Sequence, residues 1–121
     1  MTNNKNPTDI PVDQYEVAIF TNRFSSLHLE RSEFPSLEIN TDRATGNCDV
    51  ISYSSNHNDE FSKLPLERIE LIIQALSFRT KELINNSKIK YILPFENKGK
   101  EIGVTLEHPH GQIYSFGHIP E

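Results

Sequence analysis

Pro65-Leu66-Glu67-Arg68-Ile69-Glu70-Leu71-Ile72-Ile73-Gln74-Ala75-Leu76-Ser77-Phe78-Arg79-Thr80-Lys81-Glu82-Leu83-Ile84 is the stretch that decides the fold. Leu66, Ile69, Ile72, Ile73, Leu76, Leu83 and Ile84 recur at three- and four-residue steps, which lays one apolar stripe along a helix. A proline at the first helical position costs little, because its missing N–H has no intrahelical partner there. Glu67, Arg68, Glu70, Arg79, Lys81 and Glu82 fall to the solvated face. The stripe reads most simply as a core face, and the flanking segments supply what it covers.

Working outward, residues 15–20 contain Val17, Ile19 and Phe20 in an alternating run and read as a strand. Residues 48–54 read as a second, with Val50 and Ser52 on one face and Ile51 and Tyr53 on the other. Beyond the helix, residues 90–95, 102–106 and 111–117 read as three more strands. Residues 22–46 hold Pro35, several charges and Gly46 without steady periodicity, as a long loop would. The order β-β-α-β-β-β predicts an α+β fold, an antiparallel sheet with one main helix packed on it. No internal repeat is visible.

A chain of 121 residues is one domain by length and can bury a real core. Residues 1–10 are polar and Asn-rich and are expected to form a disordered lead, leaving 11–121 as the folded domain. The formal charge of −5 argues against a nucleic-acid surface, which needs clustered Lys and Arg, but leaves room for one bound nucleotide. No apolar run reaches membrane-spanning length, so no membrane partner is expected. The N-terminus lacks the apolar core of a signal peptide, and a single cysteine, Cys48, fits a reducing cytoplasm.

The chemistry concentrates in Phe95-Glu96-Asn97-Lys98-Gly99 and His108-Pro109-His110-Gly111-Gln112. Two histidines one residue apart on an extended segment project to the same face. One can then serve as nucleophile or metal ligand while the other holds the adjacent position. Pro109 stiffens the segment, Gly111 lets a bulky group approach the main chain, and Gln112 adds a neutral amide. A histidine nucleophile beside an amide suits nucleotidyl transfer through a covalent phosphoramidate. From spacing alone, a surface-strand histidine pair with no task is an equal reading. Gly99 to Gly103 is no P-loop, since the Gly-Lys-Ser/Thr ending is absent.

These residues resemble the galactose-1-phosphate uridylyltransferase family, a branch of the histidine-triad superfamily. Phe20-Thr21-Asn22-Arg23-Phe24-Ser25-Ser26-Leu27 is similar to that family's early Phe-x-Asn-x-Phe-x-x-Leu segment. Ser54-Ser55-Asn56-His57 is similar to its Ser-x-x-His turn, and the similarity spans roughly residues 13–120. The resemblance implies a histidine-triad-like domain in which His110 takes UMP from UDP-glucose as a uridylyl-histidine and passes it to galactose 1-phosphate. It implies that Gln112 contacts the transferred group. Where related hydrolases have a third, proton-donating histidine, glutamine favours a transferase. Phe20 and Asn22 would border the uridine, and Asn97, Gly99 and Thr105 the phosphates.

The resemblance also implies zinc. His57 and His108 match two of four family ligands, while the other two are an upstream Cys-x-x-Cys pair to which Cys48 does not correspond. The ligand set in this chain is therefore incomplete. The family's second domain follows the point where this sequence stops, so the chain is expected to be an N-terminal portion truncated at both ends. Family sites form between subunits, which implies a homodimer or a complementing C-terminal chain. Two other readings stay open: a nucleotide-binding fragment or half of a split enzyme without turnover, and a dinucleoside polyphosphate phosphorylase or adenylyltransferase. The Phe-Glu-Asn-Lys-Gly run with Gln112 favours the uridylyl branch over the last.

Overall fold

The structure is a computed structural model that describes residues 10, 13–30, 36–104 and 106–121. Four strands, β1 (Ala18–Thr21), β2 (Gly46–Ser52), β3 (Tyr91–Phe95) and β4 (His110–Phe116), form one antiparallel sheet in the order β1-β2-β4-β3. Helix α1 (Leu66–Ile84) covers one face. The α+β architecture read from the helix stripe is therefore the observed one. Pro65 sits one position earlier than expected, as the residue capping the helix, and its carbonyl accepts from the amides of Arg68 and Ile69 at 2.9 and 3.2 Å. The polar lead assigned to residues 1–10 lies outside the described residues apart from Ile10.

Register sorts the side chains. Ile51 pairs with Gly111 and Asp49 with Ile113, so these face α1, where Ile51, Tyr53 and Ile72 form the core with Val17, Ile19, Phe61, Leu64 and Leu76 against them. Paired residues of antiparallel strands point to the same side. The opposite face therefore carries a cross-strand row of Phe20, Val50, Gln112 and Phe95, with Ser52 beside His110. Strand β3 lies at the sheet edge, where Pro94 is tolerated because only one side of that strand needs backbone donors.

Three expectations need correcting. Of the run 102–106 expected as a strand, the described residues 102–104 and 106 form none. Lys100–Ile102 is a single 3₁₀ turn, bracketed by Gly99 at φ 107° and Gly103 at φ 79°, conformations that strand residues do not adopt. Both edges of β4 are already occupied by β2 and β3, so the Ile102/Val104/Leu106 alternation finds no strand to pair with there. Second, the helix stripe is narrower than its periodicity: Ile72 and Leu83 are buried, whereas Leu66, Ile73 and Ile84 are exposed. Third, Arg68 and Arg79 do not belong to the solvated face. Arg68 donates to the carbonyl of Glu16, and Arg79 Nε donates at 2.7 Å to Asp49, a carboxylate with no exposure at all.

Asp49 is satisfied by three donors. Arg79 Nε meets Oδ2, while Asn47 Nδ2 at 2.7 Å and Thr21 Oγ1 at 3.2 Å meet Oδ1. One buried charge thus ties α1 to β2 and β1, as a buried carboxylate must be tied if it stays ionised.

Candidate functional site

His110 opens β4, and the preceding Pro109 is buried, its carbonyl accepting the amide of Tyr53 at 3.1 Å. His110 Nδ1 lies 2.7 Å from the carbonyl of His108. A carbonyl only accepts, so Nδ1 carries the proton and, in the neutral ring, Nε2 keeps the lone pair. The bond is local, two residues apart, and forms because the Pro-stiffened segment turns the carbonyl of His108 back beneath the next imidazole.

His108 is held the other way round. Its Nε2 lies 2.7 Å from the carbonyl of Ser54, 2.9 Å from Ser52 Oγ and 3.2 Å from the Tyr15 hydroxyl. The Ser54 carbonyl assigns the proton to Nε2, which leaves a lone pair on Nδ1. That Nδ1 faces Nδ1 of His57 at 3.2 Å. Burial pulls His108 below the ordinary imidazole pKa against the opposing pull of the Ser54 carbonyl, and His57 and His110 lower it further, which favours the neutral ring.

The turn bearing His57 is shaped by its own side chains. Ser54 Oγ donates to Asp59 Oδ2 at 2.6 Å, Asn56 Nδ2 donates to Asp59 Oδ1 at 2.9 Å, and Asn56 Oδ1 accepts from the amide of Asn58 at 3.1 Å. Such Asx and Ser motifs fix tight turns without regular structure.

Two imidazole nitrogens on one tetrahedral zinc at about 2.0–2.1 Å would stand roughly 3.3 Å apart. The His57–His108 pair matches that edge. Among the described residues, however, no group of three or more His, Cys, Asp or Glu is placed to hold a metal ion. Cys48 is fully buried on β2, its Sγ 3.9 Å from Ser26 Oγ. The pair fits half of a zinc site, and the described part of this chain does not complete it.

A cavity of about 360 Å³ brings together His57, Asn97, Lys98, Gly99, His108 and His110. Phe20, Asn22 and Gln112 are not among its walls. Phe20 and Gln112 share the open sheet face with His110 through the row described above. Asn22 lies at the end of β1, where its amide donates to the carbonyl of Cys48 at 2.8 Å and its Oδ1 accepts from the amide of Phe24 at 2.9 Å. Phe24 itself is exposed. Thr105 lies outside the described residues.

The room at Gly111 is used by the protein's own core. A Cβ there would collide with the hydroxyl of Tyr53 and press on the carbonyl of Phe95 at 3.0 Å. Sequence reasoning missed Tyr15, Ser52 and Ser54 as partners of His108. Only the period-two spacing of Ser52, the last residue of β2, and Ser54 beyond it toward the His57 turn hinted at them, whereas Tyr15 lies 93 residues away and carried no signal.

The N-terminal domain described as galactose-1-phosphate uridyl transferase matches residues 1–120. The galactose-1-phosphate uridylyltransferase of Thermotoga maritima is 37% identical over 112 residues, 90% of this chain and 35% of its own length. That of Streptomyces lividans is 38% identical over 102 residues, 84% of this chain and 25% of its own. A solved uridylyltransferase structure superposes with a TM-score of 0.82 at 33% identity, over 88% of this chain and 35% of that one. The chain thus spans about a third of the length of the relatives it matches. Along almost all of its sequence, it belongs to the galactose-1-phosphate uridyl transferase family, as a counterpart of that family's N-terminal domain.

Proposed function

We propose that this chain is the nucleophile-bearing part of a UDP-glucose–hexose-1-phosphate uridylyltransferase, a nucleotidyltransferase of galactose metabolism, with His110 as the nucleophile. The observation that carries this reading is the 2.7 Å bond from His110 Nδ1–H to the carbonyl of His108, which leaves the Nε2 lone pair available on a residue bordering the cavity.

The chemistry then follows in two balanced displacements. His110 Nε2 attacks the α-phosphorus of UDP-glucose, a P–N bond forms, the P–O bond to the β-phosphate breaks, and glucose 1-phosphate leaves. A phosphate oxygen of galactose 1-phosphate then attacks the same phosphorus, the P–N bond breaks, UDP-galactose departs, and the imidazole is restored. Gln112 can hydrogen-bond the transferred group without supplying a proton, which suits an intermediate kept for a second phosphate. Asn97 supplies an amide to the phosphates, and Gly99, at φ 107°, presents bare backbone to them. Phe20, Asn22 and Thr105 are assigned to the nucleotide by resemblance.

His57 and His108 would hold zinc with two further ligands. When bound, the ion would clamp the Ser54–Asp59 turn to the approach of β4, and no step of the transfer runs through it. Residues 11–121 are read as the domain, in a cytoplasmic protein completed by a second copy or a complementing chain. The single cysteine supports the reducing compartment. No helix among the described residues is long and apolar enough to cross a membrane.

The test is intact mass after incubation with UDP-glucose, wild type beside His110→Asn. A UMP adduct on the wild type alone is expected. No adduct on a folded, zinc-supplied chain would overturn catalysis by this chain and leave the nucleotide-binding fragment as the reading.

A further inference from the structure

A nucleotide sugar brings an anionic diphosphate to the cavity beside His110, yet the cavity walls carry the carboxylates of Asp59, Glu60, Glu96 and Glu107. Against them, the described walls set the ammonium groups of Lys98 and Lys100. Lys98 stands on the wall between Asn97 and Gly99, and the glycine leaves the space beside it free of a side chain. Both lysines are paired. Lys98 Nζ lies 3.7 Å from Glu60 Oε2, and Lys100 Nζ lies 3.7 Å from Glu107 Oε1. The second pair is the more solvated, with side chains 86% and 73% exposed, against 63% and 43% for Lys98 and Glu60. Glu60 also has another cation: its Oε1 accepts from Lys63 Nζ at 3.2 Å, and Lys63 is not among the cavity walls.

An exposed ion pair at 3.7 Å, longer than a direct N–H···O bond, holds its partners weakly. A phosphate offers the same ammonium several anionic oxygens and charge-assisted hydrogen bonds. The flexible stem of a lysine lets Nζ exchange one partner for another without moving the backbone. When Lys98 turns away, Glu60 keeps Lys63, so this carboxylate does not face the anion unpaired. Asp59 is occupied in the same way, accepting from Ser54 Oγ and Asn56 Nδ2. We propose that Lys98 is a diphosphate-binding residue of the His110 cavity, held by Glu60 when the cavity is empty and transferred to the anion when substrate enters. Glu60 then competes with the substrate for Lys98 and lowers its affinity. The inference deepens the transferase reading and rests on it for the identity of the anion.

The experiment titrates UDP-glucose and, separately, uridine into the full chain carrying His110→Asn, which blocks any covalent adduct, and reads both dissociation constants by calorimetry. Adding Lys98→Met is expected to weaken UDP-glucose about 10-fold and to leave uridine unchanged. Lys98→Arg, which keeps the charge, is expected to retain most of the affinity. Glu60→Gln is expected to tighten UDP-glucose about 3-fold and to lose that effect when Lys98→Met is also present, since no lysine is then released. Equal tightening in both backgrounds would reveal only the general field of Glu60 and overturn the exchange. Lys100→Met makes the same charge change on the more solvated lysine and is expected to cost less than Lys98→Met. An equal loss from the two, or no loss from Lys98→Met, would overturn the assignment to Lys98. The adduct on the otherwise unsubstituted chain separates the two readings. An adduct with UDP-glucose affinity indifferent to Lys98 would sustain the transferase and overturn this proposal. Lys98-dependent binding without an adduct would sustain the proposal and overturn catalysis by this chain, and no saturable UDP-glucose binding would overturn the proposal outright.

Discussion

Replacing Arg79 by Leu removes the cation that, among the described residues, meets Asp49. The carboxylate has no exposure, so water cannot take the place of the lost donor without opening the packing between α1 and β2. Asn47 and Thr21 still serve Oδ1, but Oδ2 is left with a void where the 2.7 Å bond stood. Breaking a buried pair by removing one partner costs about 3–5 kcal/mol. The lower end, about 3 kcal/mol, applies here because the Arg79 side chain is 28% exposed and already keeps part of its charge in water. With a urea dependence of about 1–3 kcal/mol per molar, the unfolding midpoint should drop by roughly 1–3 M. Arg79→Lys, with charge but no planar fork, should recover part of that loss. The discriminating variant is Asp49→Asn/Arg79→Leu, in which no buried charge is stranded. It should be more stable than Arg79→Leu alone, a non-additivity that a double-mutant cycle reads directly. A loss below about 1 kcal/mol in Arg79→Leu, or strict additivity in the cycle, would refute the assignment of this pair as the tie between helix and sheet.

Gly111→Ala should destabilise by about 1–3 kcal/mol in thermal or urea unfolding, because its methyl meets the Tyr53 hydroxyl. Adding Tyr53→Phe, which removes that oxygen, should return a measurable part of the loss, and no return would place the conflict at the Phe95 carbonyl instead. Burial, and then Glu96, push the Tyr53 hydroxyl from its ordinary 10.0 up to about 12. A folded-state pKa above the unfolded one means that stability is fully present below about pH 10 and is lost as pH rises through about 12. The unfolding midpoint should therefore fall over that window, and Tyr53→Phe should flatten the fall.

The helix, the antiparallel sheet and most of its strands were legible in the chain because local periodicity is a direct image of burial. Ile72 and Leu83 sit on the expected stripe, and β4 begins at the histidine whose alternation with His108 first marked it. The amphipathic logic misjudged Ile102, Val104 and Leu106, since an alternating apolar run is strand-like only where an open edge awaits it. It also misjudged Arg79, because a charged side chain at the margin of a stripe can turn inward only when a buried partner lies across the interface.

The linear order of residues by itself determined the family, the identity of the paired histidines and the local geometry by which His108 hands a carbonyl to His110, two residues on. Tertiary structure alone decided what surrounds them. Tyr15 meets His108 across 93 residues, Ser52 across 56 and His57 across 51, and Arg79 meets Asp49 across 30. Such contacts follow from strand register and from how the helix seats on the sheet. A shift of one residue would turn each strand's side chains to the other face, so no reading of local pattern could have supplied them.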